Sequence, residues 1–138
     1  VRMIFSYQVK YIQYSLYRHG ILWNSDVETL KNGKLNSSTR LERQTENYRL
    51  TKDGVETWIS GLITYSGSLL YFNEPKLISY IYNERNGERN TIKNIVGHTY
   101  AIIDQKGNKT NIYEYQDGIL LKAELIHSLA TIHLKRII

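Results

Sequence analysis

The stretch Thr64-Tyr65-Ser66-Gly67-Ser68-Leu69-Leu70-Tyr71-Phe72-Asn73-Glu74-Pro75 interrupts a repetitive pattern of short strands and tight turns, and the reading of the fold turns on it. From Leu62 and Ile63 through Tyr65, Leu69, Leu70 and Phe72 the apolar positions fall at spacings of three and four, a helical rather than an extended rhythm. Ser66 stands where a helix cap is wanted, and Pro75, the single proline of the chain, forbids continuation. One or two helical turns are therefore predicted from Ser66 to Phe72. Leu69, Leu70 and Phe72 are expected to face a sheet as a lid or plug, and no other helix is expected.

On the upstream side, Met3, Phe5, Tyr7, Val9 and Tyr11 alternate with Ser6, Gln8 and Lys10, which reads as one long first strand from Met3 to Arg18. Past Tyr11 the apolar parity moves to Ile12, Tyr14 and Leu16, and such a change of face predicts a bulge or bend there. His19-Gly20 turns the chain into Ile21 to Leu30. Asn32-Gly33 is the strongest hairpin signal, because a type I′ turn requires positive φ at both central residues. Strands are predicted at Leu35 to Arg43, Tyr48 to Lys52 and Val55 to Ile59, the last two joined by Asp53-Gly54.

Downstream, strands are predicted at Leu77 to Asn83, Glu88 to Val96, Thr99 to Asp104, Thr110 to Gln116, Ile119 to His127 and Ser128 to Ile138. Turn signals recur about every 8 to 12 residues with no long helix between them. The expected class is all-β, a curled antiparallel meander forming a barrel, half-barrel or sandwich, with one short helix near 66–72. One domain over 1–138 suffices for this length, and 41% hydrophobic residues allow a core without metals or disulfides. Tyrosine outnumbers phenylalanine 12 to 2, which suits half-buried pleated surfaces that are apolar along the ring and wet at the hydroxyl.

Composition narrows the chemistry. The chain has no cysteine, which excludes a disulfide scaffold, a thiolate metal site and a cysteine nucleophile. A net charge of +5, from 18 Lys and Arg against 13 Asp and Glu, is scattered over turns. Nucleic-acid binding is not expected, because no strand face interleaves tyrosines with a basic stripe. No apolar run approaches the ~18 residues of a membrane helix, and the opening residues lack the pattern of a signal peptide. His127 and His133 are the only histidines that the final hairpin would bring near one another, too few for a metal centre. No cofactor motif and no serine-nucleophile elbow is present.

What remains is a small set of weak candidates around the interrupting stretch. Glu74, beside Pro75, can orient a ligand or act as an acid or base, or it can be a loop carboxylate bonded to nearby amides. Glu84 and Glu88 read as solvated charges at a hairpin tip. The ligand-binding candidates are Tyr65, Leu69, Tyr71, Phe72, Glu74 and Tyr82; no catalytic or metal-binding residue is assigned.

Tyr65-Ser66, then Leu70 to Pro75, Ile81-Tyr82-Asn83-Glu84 with Gly87, and Asn111 to Gly118 together resemble an uncharacterised family of exported β-rich domains of Gram-negative bacteria. The resemblance covers Leu62 to Arg136. It implies a periplasmic or secreted location and a curled sheet similar in outline to the half-barrels of periplasmic lipoprotein carriers; it transfers no catalytic residue. Family members usually carry a further pair of strands, so Val1 is read as an internal position of a larger domain.

The expected function is that of a non-enzymatic envelope or secreted protein binding a lipid, another hydrophobic or amphipathic small molecule, or a protein partner on its curled sheet. The alternatives are a hydrolase centred on Glu74 with Tyr71 or His98 as partner, and an assembly subunit that self-associates through an exposed edge strand.

Overall fold

The computed structural model describes residues 9–126 and 131–135, and the side chains through 125. Among them, regular structure is all-β apart from a single 3-10 turn at Gly67–Tyr71. The chain divides into two compact units, one built on the residues up to Thr64 with the turn Glu84–Gly87, the other on Tyr65–Asn83 and the residues from Glu88 onward.

The first unit is a five-stranded antiparallel meander: β1 (Val9–Arg18), β2 (Ile21–Lys31), β3 (Lys34–Gln44), β4 (Asn47–Lys52) and β5 (Val55–Ser60), each paired with its neighbour in sequence. The predicted turns explain this order. Both central residues of His19-Gly20, Asn32-Gly33 and Asp53-Gly54 have positive φ, the conformation that matches the twist of two adjoining strands. The bulge predicted near Tyr11 is not there. The β1–β2 register runs unbroken from Val9 to Leu16 and shifts between Leu16 and Tyr17. Ile12 and Tyr14 simply stay on the open face, 45% and 56% exposed, so their change of parity marks apolar side chains left in solvent. Met3 to Gln8 lie outside the described residues.

Leu22, Val27, Leu41, Tyr48, Leu50 and Ile63 are the buried apolar side chains of this unit. Tyr48 organises it. Its hydroxyl donates to the Leu22 carbonyl at 2.7 Å and accepts from the Ile63 N–H at 3.1 Å, while the Leu22 N–H donates to the Ile63 carbonyl at 2.8 Å. The chain leaving β5 is thereby tied to β2. The turn Glu84–Gly87 also belongs here. Glu84, expected to be a solvated tip charge, is 2% exposed and accepts a hydrogen bond from the Ser15 hydroxyl. Thr39 donates to the Arg85 carbonyl at 2.7 Å. Packing against β1, β3 and β4 places Glu84 inside, which its local sequence does not reveal.

The second unit is a six-stranded antiparallel meander of β6 (Tyr80–Asn83), β7 (Glu88–Val96), β8 (Thr99–Ile103), β9 (Lys109–Gln116), β10 (Ile119–Ile126) and β11 (Thr131–Lys135). Three successive pairings, β7–β8, β8–β9 and β9–β10, carry register shifts, and such irregularities bend a sheet. One of the two sheets of the fold is curled as a half-barrel. β6 starts at Tyr80 rather than Leu77 because Leu77 adopts φ 60°, which no strand accommodates. The core here is Tyr65, Leu70, Ile81, Ile92, Tyr100, Ile102, Tyr113, Tyr115 and Ala123, with Leu69 partly buried against it.

Two substitutions test this packing. Leu70→Ala, at a fully buried position, is expected to cost about 3 kcal/mol in urea unfolding. Gly87 has φ 75°, and an added Cβ would lie 2.7 Å from Leu50 Cδ2. Gly87→Ala is expected to lower stability by about 2 kcal/mol through left-handed backbone and clash together; an unchanged urea midpoint would contradict this account of the turn.

Candidate functional site

The interrupting stretch begins extended at Ser66 (φ −134°, ψ 172°) and closes into the 3-10 turn Gly67–Tyr71. The cap predicted for the Ser66 side chain does not form. The Ser66 carbonyl instead accepts from the Leu69 N–H at 3.0 Å, and the hydroxyl lies 3.2 Å from that of Ser68. Ser66 is fully buried because it bridges Tyr82 in parallel fashion, with the Tyr82 N–H donating to the Tyr65 carbonyl at 3.1 Å.

Three tyrosine hydroxyls then hold the exit from the turn. Tyr115 donates to the Leu70 carbonyl at 2.5 Å, Tyr65 to the Asn73 carbonyl at 2.5 Å, and Tyr100 to Glu74 Oε2 at 2.7 Å. The first satisfies a carbonyl that the short helical turn leaves without an internal donor, and the other two tie down the residues that follow it. Burial pushes the Tyr115 phenol far above its ordinary range, so it remains a donor throughout the pH range in which proteins are handled. Edge-to-face contacts of Tyr100 with Tyr115 and of Tyr71 with Tyr113 complete the aromatic layer.

Glu74 is the chemical centre of this region. Its side chain is 3% exposed, shielded by its nearest neighbours. Oε2 receives the Tyr100 hydroxyl and lies 2.9 Å from His98 Nδ1, whereas Oε1 is buried without a hydrogen-bond partner. A carboxylate only accepts, so the ring nitrogen facing it carries the proton and Nε2 points away. His98 sits in the β7–β8 turn with 60% of its side chain exposed. The turn is fixed from behind, because the Tyr115 N–H donates to the His98 carbonyl at 3.0 Å. Burial opposes ionisation of Glu74, but the hydrogen bonds from His98 and Tyr100, with the nearby charge of Lys76, outweigh it and hold the carboxyl below its usual value. Burial, reinforced by Glu74, raises the Tyr100 phenol.

The sequence-predicted residues divide. Tyr65 and Tyr82 are buried structural side chains, and Leu69 packs on the core. Phe72, expected to face the sheet, instead stands 78% exposed, because the tight 3-10 turn gives only Leu70 full burial. Tyr71 is 41% exposed, Leu77 fully exposed and Tyr80 67% exposed. Glu74 and His98 lie within hydrogen-bond distance, at 2.9 Å; Tyr100, which joins them, has no place in the sequence reading. Its signal was available, since His98 and Tyr100 are two apart at a strand start and so share a face. Among the described residues no cluster of metal-ligating side chains occurs; His127 lies outside them, as does the side chain of His133.

An all-β chain of two antiparallel meanders, with one short turn pinned by tyrosines, is the class these features define. The chain belongs to the DUF6134 family, a domain of unknown function whose family model matches residues 1–137. The match extends well beyond the C-terminal half that carries the sequence resemblance. Neither a curated protein nor a solved structure matches the chain.

The lowered Glu74 carboxyl sets a sign for pH dependence. A carboxyl depressed on folding stabilises above its unfolded value, near 4.5, and loses that contribution as pH falls through the lower folded value. The advantage in thermal midpoint of the parent protein over Glu74→Gln is therefore expected to be full at about pH 7 and to shrink in the acid range below 4.5. Tyr100→Phe, which removes one donor to Glu74, is expected to cost about 1–2 kcal/mol at neutral pH.

Proposed function

We propose that this domain is a non-enzymatic binding protein of the cell envelope, periplasmic or secreted, that holds a hydrophobic or amphipathic ligand at the rim formed by residues 71–80. The observation that carries the reading is the display of Phe72 and Leu77. Phe72 is 78% exposed and Leu77 fully exposed, on a segment whose backbone is otherwise fixed by tyrosine hydroxyls and Pro75. Single exposed apolar residues are ordinary. Here, however, Leu77 is held at φ 60°, a conformation costing a leucine about 1–2 kcal/mol. A backbone outlier that presents an apolar side chain to solvent is a feature that binding would explain. The exposed imidazole of His98, held by Glu74, supplies a polar contact for the head of an amphipathic molecule. The location rests on the family resemblance of the sequence.

Native mass spectrometry and solvent extraction of the purified protein test this directly. A co-purifying lipid or fatty acid is expected, reduced by roughly tenfold in occupancy in Phe72→Ser/Leu77→Ser, since each large apolar side chain is worth about 1.5–3 kcal/mol on burial. Ligand-free protein that also fails to take up palmitate would overturn the reading.

A second reading, hydrolysis, is favoured by one observation: the 2.9 Å contact that orients His98 on a buried carboxylate. Nε2 of such a histidine can accept a proton from water. Turnover of p-nitrophenyl acetate that disappears in His98→Ala, with the fold intact, would support it; equal rates in both proteins would dismiss it.

A further inference from the structure

An open cleft of about 520 Å³ lies on the first unit, within the range of small-molecule sites. It forms at the β1–β2 register shift. Leu16 pairs with Asn24 and Tyr17 with Leu22, which leaves Trp23 as the unmatched, bulged residue. Two guanidinium groups lie over its ring, Arg18 at 4.9 Å and Arg43 at 4.7 Å from the centroid. All three residues line the cleft.

The charge balance there is uneven. Asp26 is paired with Arg40 at 3.1 Å and Glu42 with Arg49 at 2.9 Å, so both lining carboxylates are neutralised. Arg18 and Arg43 have no acidic partner among the described residues. Arg43 uses Nε to donate to the Thr45 carbonyl at 2.7 Å; among the described residues its other guanidinium N–H groups, and those of the Arg18 guanidinium, have no acceptor. Stacking on an indole limits the motion of a guanidinium without consuming its edge donors. Two such groups at one cleft form a prepared receptor for an oxyanion.

The other lining groups indicate what the anion is attached to. Asn24 and Gln44 are amides, groups that pair with hydroxyls, while Asp26 and Glu42 are held in their ion pairs. Leu16 and the Trp23 ring are the apolar exceptions. We propose that this cleft binds a small hydroxylated anion, a sugar acid or sugar phosphate, with its acidic group held by Arg18 and Arg43 and its hydroxyls facing Asn24 and Gln44. The site shares no residue with segment 71–80 and does not depend on the reading given for it.

The chain has two tryptophans, so Trp58→Phe leaves Trp23 as the sole indole reporter. Titration of that protein with glucose 6-phosphate, glucuronate and, as neutral control, glucose is read by Trp23 fluorescence. Saturable binding of at least one acidic sugar is expected at millimolar concentration or tighter, with glucose inert. The acidic sugar that binds more tightly assigns the anionic group to phosphate or carboxylate. Arg18→Gln/Arg43→Gln is expected to weaken binding by roughly tenfold or more, the loss of charge-assisted hydrogen bonds. Because Arg43 also braces the β3–β4 turn, the single exposed Arg18→Gln variant, checked by circular dichroism, is run beside it. No saturation by either acidic sugar, equal binding of glucose, or unchanged affinity in folded Arg18→Gln would overturn the proposal.

Discussion

Phenol hydroxyls bonded to the backbone hold the non-sheet segment between β5 and Pro75. Strands satisfy their own backbone groups, but the segments leaving them do not, and a buried carbonyl without a donor costs about 1–3 kcal/mol. Tyr48 donates to the Leu22 carbonyl of β2 while accepting the Ile63 N–H where the chain departs from β5, and Tyr65 and Tyr115 donate around the 3-10 turn. In each case the ring fills core volume that phenylalanine would fill equally well, while the hydroxyl reaches a carbonyl that phenylalanine would orphan. Tyr48, Tyr65 and Tyr115 thus do, in both units, what phenylalanine could not.

Much of the architecture is legible in the sequence because its determinants are local. Asn32-Gly33, Asp53-Gly54 and Asp117-Gly118 specify their turns through residues that tolerate positive φ, and strand limits follow within a few residues. The turn at Gly67–Tyr71 is equally readable, since Pro75 and the changed spacing bound it. What escapes is whatever depends on contacts distant in sequence. The face of Ile12 and Tyr14, the burial of Glu84 by Ser15, and the exposure of Phe72 all hinge on which neighbour lies across the sheet. Leu77 is different again: its left-handed backbone ends a stretch that reads as strand, and nothing in its side chain announces it.

The candidate site shows the same division. Glu74 stands out in the sequence by its place next to the single proline, but its burial does not, because Tyr100 and His98 arrive from another strand and its turn. Once assembled, the three groups constrain one another. The carboxylate fixes the histidine tautomer, the phenol shares the same oxygen, and the remaining oxygen has no partner. An exposed imidazole held by a shielded carboxylate is chemically distinct from a free surface histidine, whatever it acts upon.

The nearest-neighbour strand order has a consequence for how the chain acquires its structure. Every sheet pairing joins consecutive strands, so contact order within the sheets is low and hairpins can form as soon as they are synthesised. The turn Glu84–Gly87 is the exception. Its bonds to Ser15, Thr39 and Tyr11 close loops of 69, 46 and 74 residues. The first meander can therefore assemble early on the ribosome, yet it receives its last contacts only after β6 has been made, which places the completion of the N-terminal unit after the first strand of the C-terminal one.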